Sequence, residues 1–186
     1  MQIAIRQHID FFKVFKIMEL KKIDKHGDVK LVQDKVIGRK VLSVEGSVST
    51  QNYIIFDCAD AAKSNPSLCF SQRYLYVIGW AEFSKVFCFQ ITTRINTRVC
   101  KALYSTVHKA EKMSPQAILH LPLELKSGKW SIIAIDLHDL CAKFLKSNEA
   151  RLNFEVSSIE IRAHSRVKNI YLSDNLYDPT RLPKEM

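Results

Sequence analysis

At 186 residues, with 47% apolar and 25% charged side chains, the chain has the make-up of one ordinary globular domain, large enough to bury a core without a metal or disulfide staple. Five glycines and five prolines exclude a linker-rich or disordered chain. A net charge of +9 and a pI near 9.3 favour acidic partners: nucleic acid, anionic lipid or the acidic surface of a cytoskeletal polymer.

In chain order, the first 25 residues are the least regular. Phe11, Phe12, Phe15, Met18 and Leu20 fit neither the helical nor the strand period, and a partly extended segment is expected. Arg6, His8, Asp10, Lys13 and Lys16 interrupt its apolar residues and argue against a signal-peptide core. Lys40–Glu45 alternates, with Leu42 and Val44 opposed to Val41, Ser43 and Glu45, and Gly46 breaks the strand before Asn52–Phe56 resumes. Residues 57–72 read as a polar, proline-containing loop. Arg73–Gly79 and Val86–Thr93 are apolar on both faces, the pattern of central strands in a layered core.

Arg94-Ile95-Asn96 predicts a hairpin turn before a strand at Thr97–Leu103. Leu119–Leu123, Trp130–Asp136, Val156–Ala163 and Lys168–Ser173 bring the total to about nine or ten strands. One amphipathic helix is expected over about 137–147. Leu137, Leu140, Cys141, Phe144 and Leu145 form a single stripe at helical spacing, Asp136 stands at the N-cap, Asp139 complements the first turn, and Asn148 can close the end. Many short strands and one helix predict a mainly β fold: a two-sheet antiparallel β-sandwich of jelly-roll type forming one domain over residues 1–186.

Cys58, Cys69, Cys88, Cys100 and Cys141 are odd in number and lack C-x-x-C spacing, which suits a reducing, cytosolic compartment and argues against a disulfide framework or zinc site. No apolar run approaches ~18 residues, so no membrane-spanning helix is expected. The G-x-S-x-G, G-x-x-x-x-G-K-[ST] and G-x-G-x-x-G motifs are all missing. The six histidines are scattered singly; His120, between Leu119 and Leu121, reads as a strand histidine with a satisfied hydrogen bond in preference to a metal ligand. No enzyme chemistry and no cofactor are expected.

Trp80, Trp130, Tyr74 and Tyr76 raise a carbohydrate- or small-ligand-binding sandwich as an alternative, although core packing suits all but Trp80 better. Nucleic acid is a further alternative, without an aromatic-plus-basic motif of the RNA-sheet type to support it.

Three stretches carry a resemblance. They are Gly38-Arg-Lys-Val-Leu-Ser-Val-Glu-Gly-Ser-Val-Ser-Thr-Gln-Asn-Tyr53-Ile, Gly128-Lys-Trp-Ser-Ile-Ile-Ala-Ile-Asp-Leu-His-Asp-Leu140, and Ile161-Arg-Ala-His-Ser-Arg-Val-Lys-Asn-Ile-Tyr-Leu-Ser-Asp-Asn-Leu-Tyr177 with Leu182-Pro183. Together they resemble the cilia- and flagella-associated protein 20 family over nearly the whole chain. Gly46-Ser-Val-Ser-Thr-Gln-Asn-Tyr-Ile, Arg73-Tyr-Leu-Tyr-Val, His8-Ile-Asp-Phe-Phe-Lys-Val-Phe and Gly27-Asp28-Val29 are similar to the branch that forms the N-terminal domain of centriolar WD-repeat proteins, so the chain is expected to be part of a longer protein.

The resemblance implies a non-enzymatic β-sandwich that binds tubulin in microtubules. Family members sit at the inner junction of ciliary doublets or on the inner wall of centriolar triplets. The expected location is therefore the cytoskeleton of a centriole, basal body or cilium (flagellum) axoneme, with other inner-junction or inner-scaffold proteins as further partners. A basic face would dock on the acidic filament. The residues expected to form it are Arg162, Arg166 and Lys168, then Arg94, Arg98 and Lys101, with Lys21, Lys22 and Lys25 as a third group; Lys30 and Lys35 also lie on matching segments. In Val156–Ala163, Ile159 and Ile161 share one face, so Glu160 and Arg162 should point outward with His164.

Overall fold

The computed structural model describes residues 8–14, 17, 23–57, 70–146, 153–178 and 180–184. Among these, the elements in chain order are β1 (Ile9–Asp10), α1 (Phe11–Val14), β2 (Asp24–His26), β3 (Asp28–Asp34), β4 (Arg39–Glu45), β5 (Tyr53–Asp57), β6 (Tyr74–Ala81), β7 (Cys88–Ile95), β8 (Arg98–Ser105), β9 (Lys112–Met113), β10 (Ile118–Pro122), β11 (Trp130–Asp136), α2 (Leu137–Leu145), β12 (Phe154–Arg162) and β13 (Ser165–Ser173). One sheet runs β11-β6-β13-β4-β3, with β1 also pairing to β13; the other runs β2-β5-β12-β7-β8-β10-β9.

The two sheets face each other across one core. Leu42, Val44, Leu75 and Val77 from the first sheet meet Ile54, Phe56, Phe89, Ile91, Ile159 and Ile161 from the second, all essentially excluded from water. Alternation along each strand is what places these residues inside and their neighbours outside. The expected sandwich is therefore present, and β6 and β7 occupy interior positions, as runs buried on both faces must.

Several details depart from the sequence reading. β10 lies parallel to β8, so the second sheet is mixed and not purely antiparallel. The stretch 106–117, which includes β9, is long enough to carry the chain back to the same end before β10 begins. β3 lies where no strand was predicted, although Val29 and Leu31 alternate there and enter the core. Of the N-terminal segment, Ile9–Asp10 is extended but Phe11–Val14 makes one helical turn that buries Phe11 and Phe12. Phe15, Met18 and Leu20 lie outside the described residues, as does most of the expected loop at 57–72.

α2 begins where its N-cap predicts: Asp136 accepts hydrogen bonds from His138 N and Asp139 N. It ends at Lys146, whose left-handed backbone closes the helix ahead of Asn148, which is outside the described residues. Leu137, Leu140 and Cys141 are buried, with Phe144 and Leu145 packed at the margin. At β7–β8, Asn96 supplies the positive φ of the expected turn.

The outer face of the first sheet carries a second apolar layer. Tyr76, Ile78 and Tyr171 are buried there beside Tyr74, Trp130 and Ile132, with Tyr177 and Leu182 of the final segment packed against them. The Tyr76 hydroxyl donates to Asn175 O and accepts from Tyr177 N, which ties that segment down. The motif residues Gly27, Gly46 and Asn52 also meet: a side chain at either glycine would collide with Asn52, and both glycines have positive φ. Asn52 in turn accepts from Asp28 N and donates to Val48 O.

Candidate docking face

The β3–β4 hairpin is built by Asp34, which is buried and accepts from Val36 N and Ile37 N, while Gly38 takes the positive φ that reverses the chain. Spending the Asp34 carboxylate on the turn leaves Lys35, Arg39 and Lys40 exposed at the hairpin end without an acidic partner among the described residues. Val36, 82% exposed, projects among them.

Pairing of β4 with β13 then brings further cations alongside. Arg166 and Lys30 both stand opposite Ser43, on the outward side of their strands. A register irregularity between Val167 and Asn169 displaces Lys168, and its half-buried amine feels Arg39. Burial first, and the Arg39 charge second, hold the Lys168 amine below its ordinary pKa. The Arg166 guanidinium lies 4.6 Å from the centre of the Trp80 ring and reaches Glu45 only at 4.0 Å.

Acidic groups are present but engaged. Glu45 accepts from Ser43 at 2.9 Å and from Lys30 at 3.3 Å, and these contacts keep its carboxyl below the usual range against the opposing effect of burial. Lys30 also binds Asp28 at 3.0 Å, and Asp10 accepts from Asn169 and pairs with Lys13 at 3.6 Å. The cations therefore gather at one end of the first sheet: Arg39, Arg166 and Lys168 on its outer side with the Trp80 ring at the border, and Lys35 and Lys40 at the adjoining hairpin end.

This grouping differs from the three sets expected from sequence. Arg162 lies on β12 in the other sheet, so it points away from Arg166 and Lys168. It faces outward as predicted, bound to Glu160 at 2.7 Å, with Ile159 and Ile161 buried behind it. The chain crosses from one sheet to the other between positions 162 and 165, which is why residues close in sequence end on opposite faces.

Arg94 is held by Glu155 at 2.8 Å across the β7–β12 pair; Lys101 shares its face opposite Thr92. Arg98 stands opposite Ile95 on the side of Cys100. Lys25 is exposed on the edge strand β2, and Lys21 and Lys22 lie outside the described residues. Arg39 and Lys40 were missed; their position after a turn glycine and before a clean strand was the available signal.

The other sequence candidates resolve as follows. His120 Nδ1 lies 3.1 Å from His108 Nε2, a histidine–histidine hydrogen bond. No group of three or more His, Cys, Asp or Glu is arranged for a metal among the described residues. Trp80 is half-buried beneath Arg166, and Tyr74, Tyr76 and Trp130 belong to the layer packed against the final segment. Among the described residues Phe83 is the one aromatic in the exposed large apolar set, so no exposed coplanar pair offers a sugar platform. No helix among those residues is long and apolar enough to cross a membrane.

The fold and its charge define a two-sheet β-sandwich domain with cations grouped at one end of its first sheet. The chain belongs to the CFA20 domain family, whose model matches residues 2–186, in agreement with the motifs that suggested it. It is 30% identical to mouse WD repeat-containing protein 90 over 95% of its own length and 10% of that protein's. It is 23% identical to Centriole proteome protein 16 of Chlamydomonas reinhardtii, covering 96% of this chain and 8% of that protein. With Cilia- and flagella-associated protein 20 of the same alga it shares 26% identity over 86% of this chain and 79% of that protein. The chain thus spans about a tenth of the first of these relatives.

Proposed function

We propose that this domain is a non-enzymatic structural element of the centriole or cilium that docks on the acidic microtubule wall through Lys35, Arg39, Lys40, Arg166 and Lys168. The observation that carries the reading is that Arg39, Arg166 and Lys168 come from β4 and β13 onto the outer side of the first sheet, next to the exposed hairpin end that bears Lys35 and Lys40. The names of the relatives supply the setting: centrioles, cilia and flagella. In this reading the chain is one folded unit of a longer protein, and tubulin is its principal partner. Inner-junction or inner-scaffold proteins are neighbours on the same lattice.

Exposed charge pairs contribute only about 0.2–1 kcal/mol each, so attachment is multivalent and depends on salt. Co-sedimentation of the folded domain with taxol-stabilised microtubules tests it. K35E/R39E/K40E should weaken pelleting by about 3- to 150-fold at low salt, given that range for three contacts. Its melting temperature should stay near that of the parent, because all three residues are exposed. R94E/K101E, on the other sheet, should pellet like the parent. Equal pelleting by parent and hairpin variant would overturn the docking face. Binding to generic DNA as tight as to microtubules across the salt series would favour nucleic acid instead.

A further inference from the structure

Among the described residues, the sandwich is not closed along the side where β11 ends the first sheet. A cleft of about 390 Å³ opens there between β11 and the end of β10. Its floor is core: Leu121, Leu123, Ile133 and Ile135 line it, and Leu140 of α2 closes one end. Among the described residues β11 pairs with β6 alone, so every second residue from Trp130 to Asp136 directs its backbone N–H and C=O toward the open side. Ala134, small and exposed, permits close approach along that edge. The facing wall offers less, since Pro122 has no N–H and Leu123 N already donates to Ser105 O.

The charge of the rim is opposite to that of the molecule as a whole. Glu111, Asp136 and Asp139 border the cleft, with Lys143 the cation among them. Lys143 is shared between Glu111 at 3.5 Å and Asp139 at 3.6 Å, so one ammonium serves two carboxylates. Their field reaches the cleft wall. The Tyr104 hydroxyl is raised above its ordinary pKa first by burial, then by Asp139 and Glu111.

An unpaired strand edge, an apolar floor and an acidic rim together select one kind of occupant. We propose that this cleft receives an extended segment of a partner protein that adds to the free edge of β11, with aliphatic side chains set on the core floor and alternate lysines or arginines against Glu111 and Asp139. Backbone pairing supplies affinity, and the strand period supplies the alternation. An acidic strand would place like charges together and is disfavoured. The site is independent of the docking face, which takes a partner of opposite sign.

Selection of the folded domain against a random nonapeptide library tests the proposal. The expected consensus alternates aliphatic residues with Lys or Arg, and the selected peptide should shift the backbone amide resonances of Ser131–Ile135. E111K/D139K, which changes two exposed positions, should lower affinity for that peptide at least tenfold while leaving the amide spectrum of the core unchanged. The proposal is overturned by enrichment of acidic peptides, by equal binding to the double variant, or by amide shifts confined to other strands. Concentration-dependent dimerisation through β11 would equally overturn it, in favour of a second copy as occupant.

Discussion

Replacing Asp136 with alanine removes two functions from one carboxylate at the β11–α2 junction. Oδ1 caps the helix, accepting from His138 N at 2.9 Å and Asp139 N at 3.1 Å, while Oδ2 accepts from Arg73 Nη2 at 2.7 Å and Arg73 Nε at 3.0 Å. Loss of an N-cap costs about 0.5–2 kcal/mol. The Arg73 pair adds less than the cap, because the guanidinium side chain is 53% exposed and solvent screens it. For a chain of this size each kcal/mol lowers the melting temperature by about 2–4 °C, so loss of the cap alone should make Asp136→Ala melt roughly 1–8 °C below the parent.

Asp136→Asn should recover most of that loss, since asparagine caps nearly as well, while giving up the charge. Burial opposes ionisation of Asp136. The Arg73 hydrogen bonds, with those from Asp139 N and His138 N, outweigh it and hold the carboxyl below its ordinary pKa. A depressed carboxyl stabilises the fold above its unfolded pKa and loses that contribution as pH falls through the folded value. The gap between parent and alanine variant should therefore be full at neutral pH and shrink below about pH 4. Thermal unfolding followed by circular dichroism at pH 7 and at acid pH measures both effects. An alanine variant that melts with the parent at pH 7, or a gap that widens on acidification, would refute the reasoning.

Two further outcomes follow from packing. A methyl group at Gly79 would stand 2.5 Å from the fully buried Phe87 ring, so Gly79→Ala should destabilise by about 1–3 kcal/mol, the range for overpacked cores; adding Phe87→Leu should restore part of it in the same melting assay. Burial pushes the Cys88 and Cys141 thiols up to about 11, so both should resist iodoacetamide at pH 8 in the native protein and react once denaturant is added, as read by peptide mass mapping. Native-state labelling at either position would show that its strand or helix is not packed as described.

Much of the architecture was readable from local pattern. The alternation of Leu42 and Val44 against Ser43, the double-faced runs of β6 and β7, and the stripe of α2 below its Asp136 cap each report a period or a hydrogen bond spanning a few residues. The short strands β1, β2 and β9 carry too few residues to show a period, and β3 was overlooked between two turn glycines. The parallel lie of β10 on β8 depends on where a connection returns, which residue pattern does not encode.

The longer central strands, the capped helix and membership of the family were therefore settled by the order of residues, because burial periodicity and capping act over short distances along the chain. Which cations lie together was decided only by folding. Arg162 and Arg166, near neighbours in sequence, stand on opposite sheets, whereas Arg39 and Lys168 are brought side by side. The physical reason is that strand pairing joins distant segments through backbone hydrogen bonds, and the facing surface of a sheet is assembled across strands and not along them.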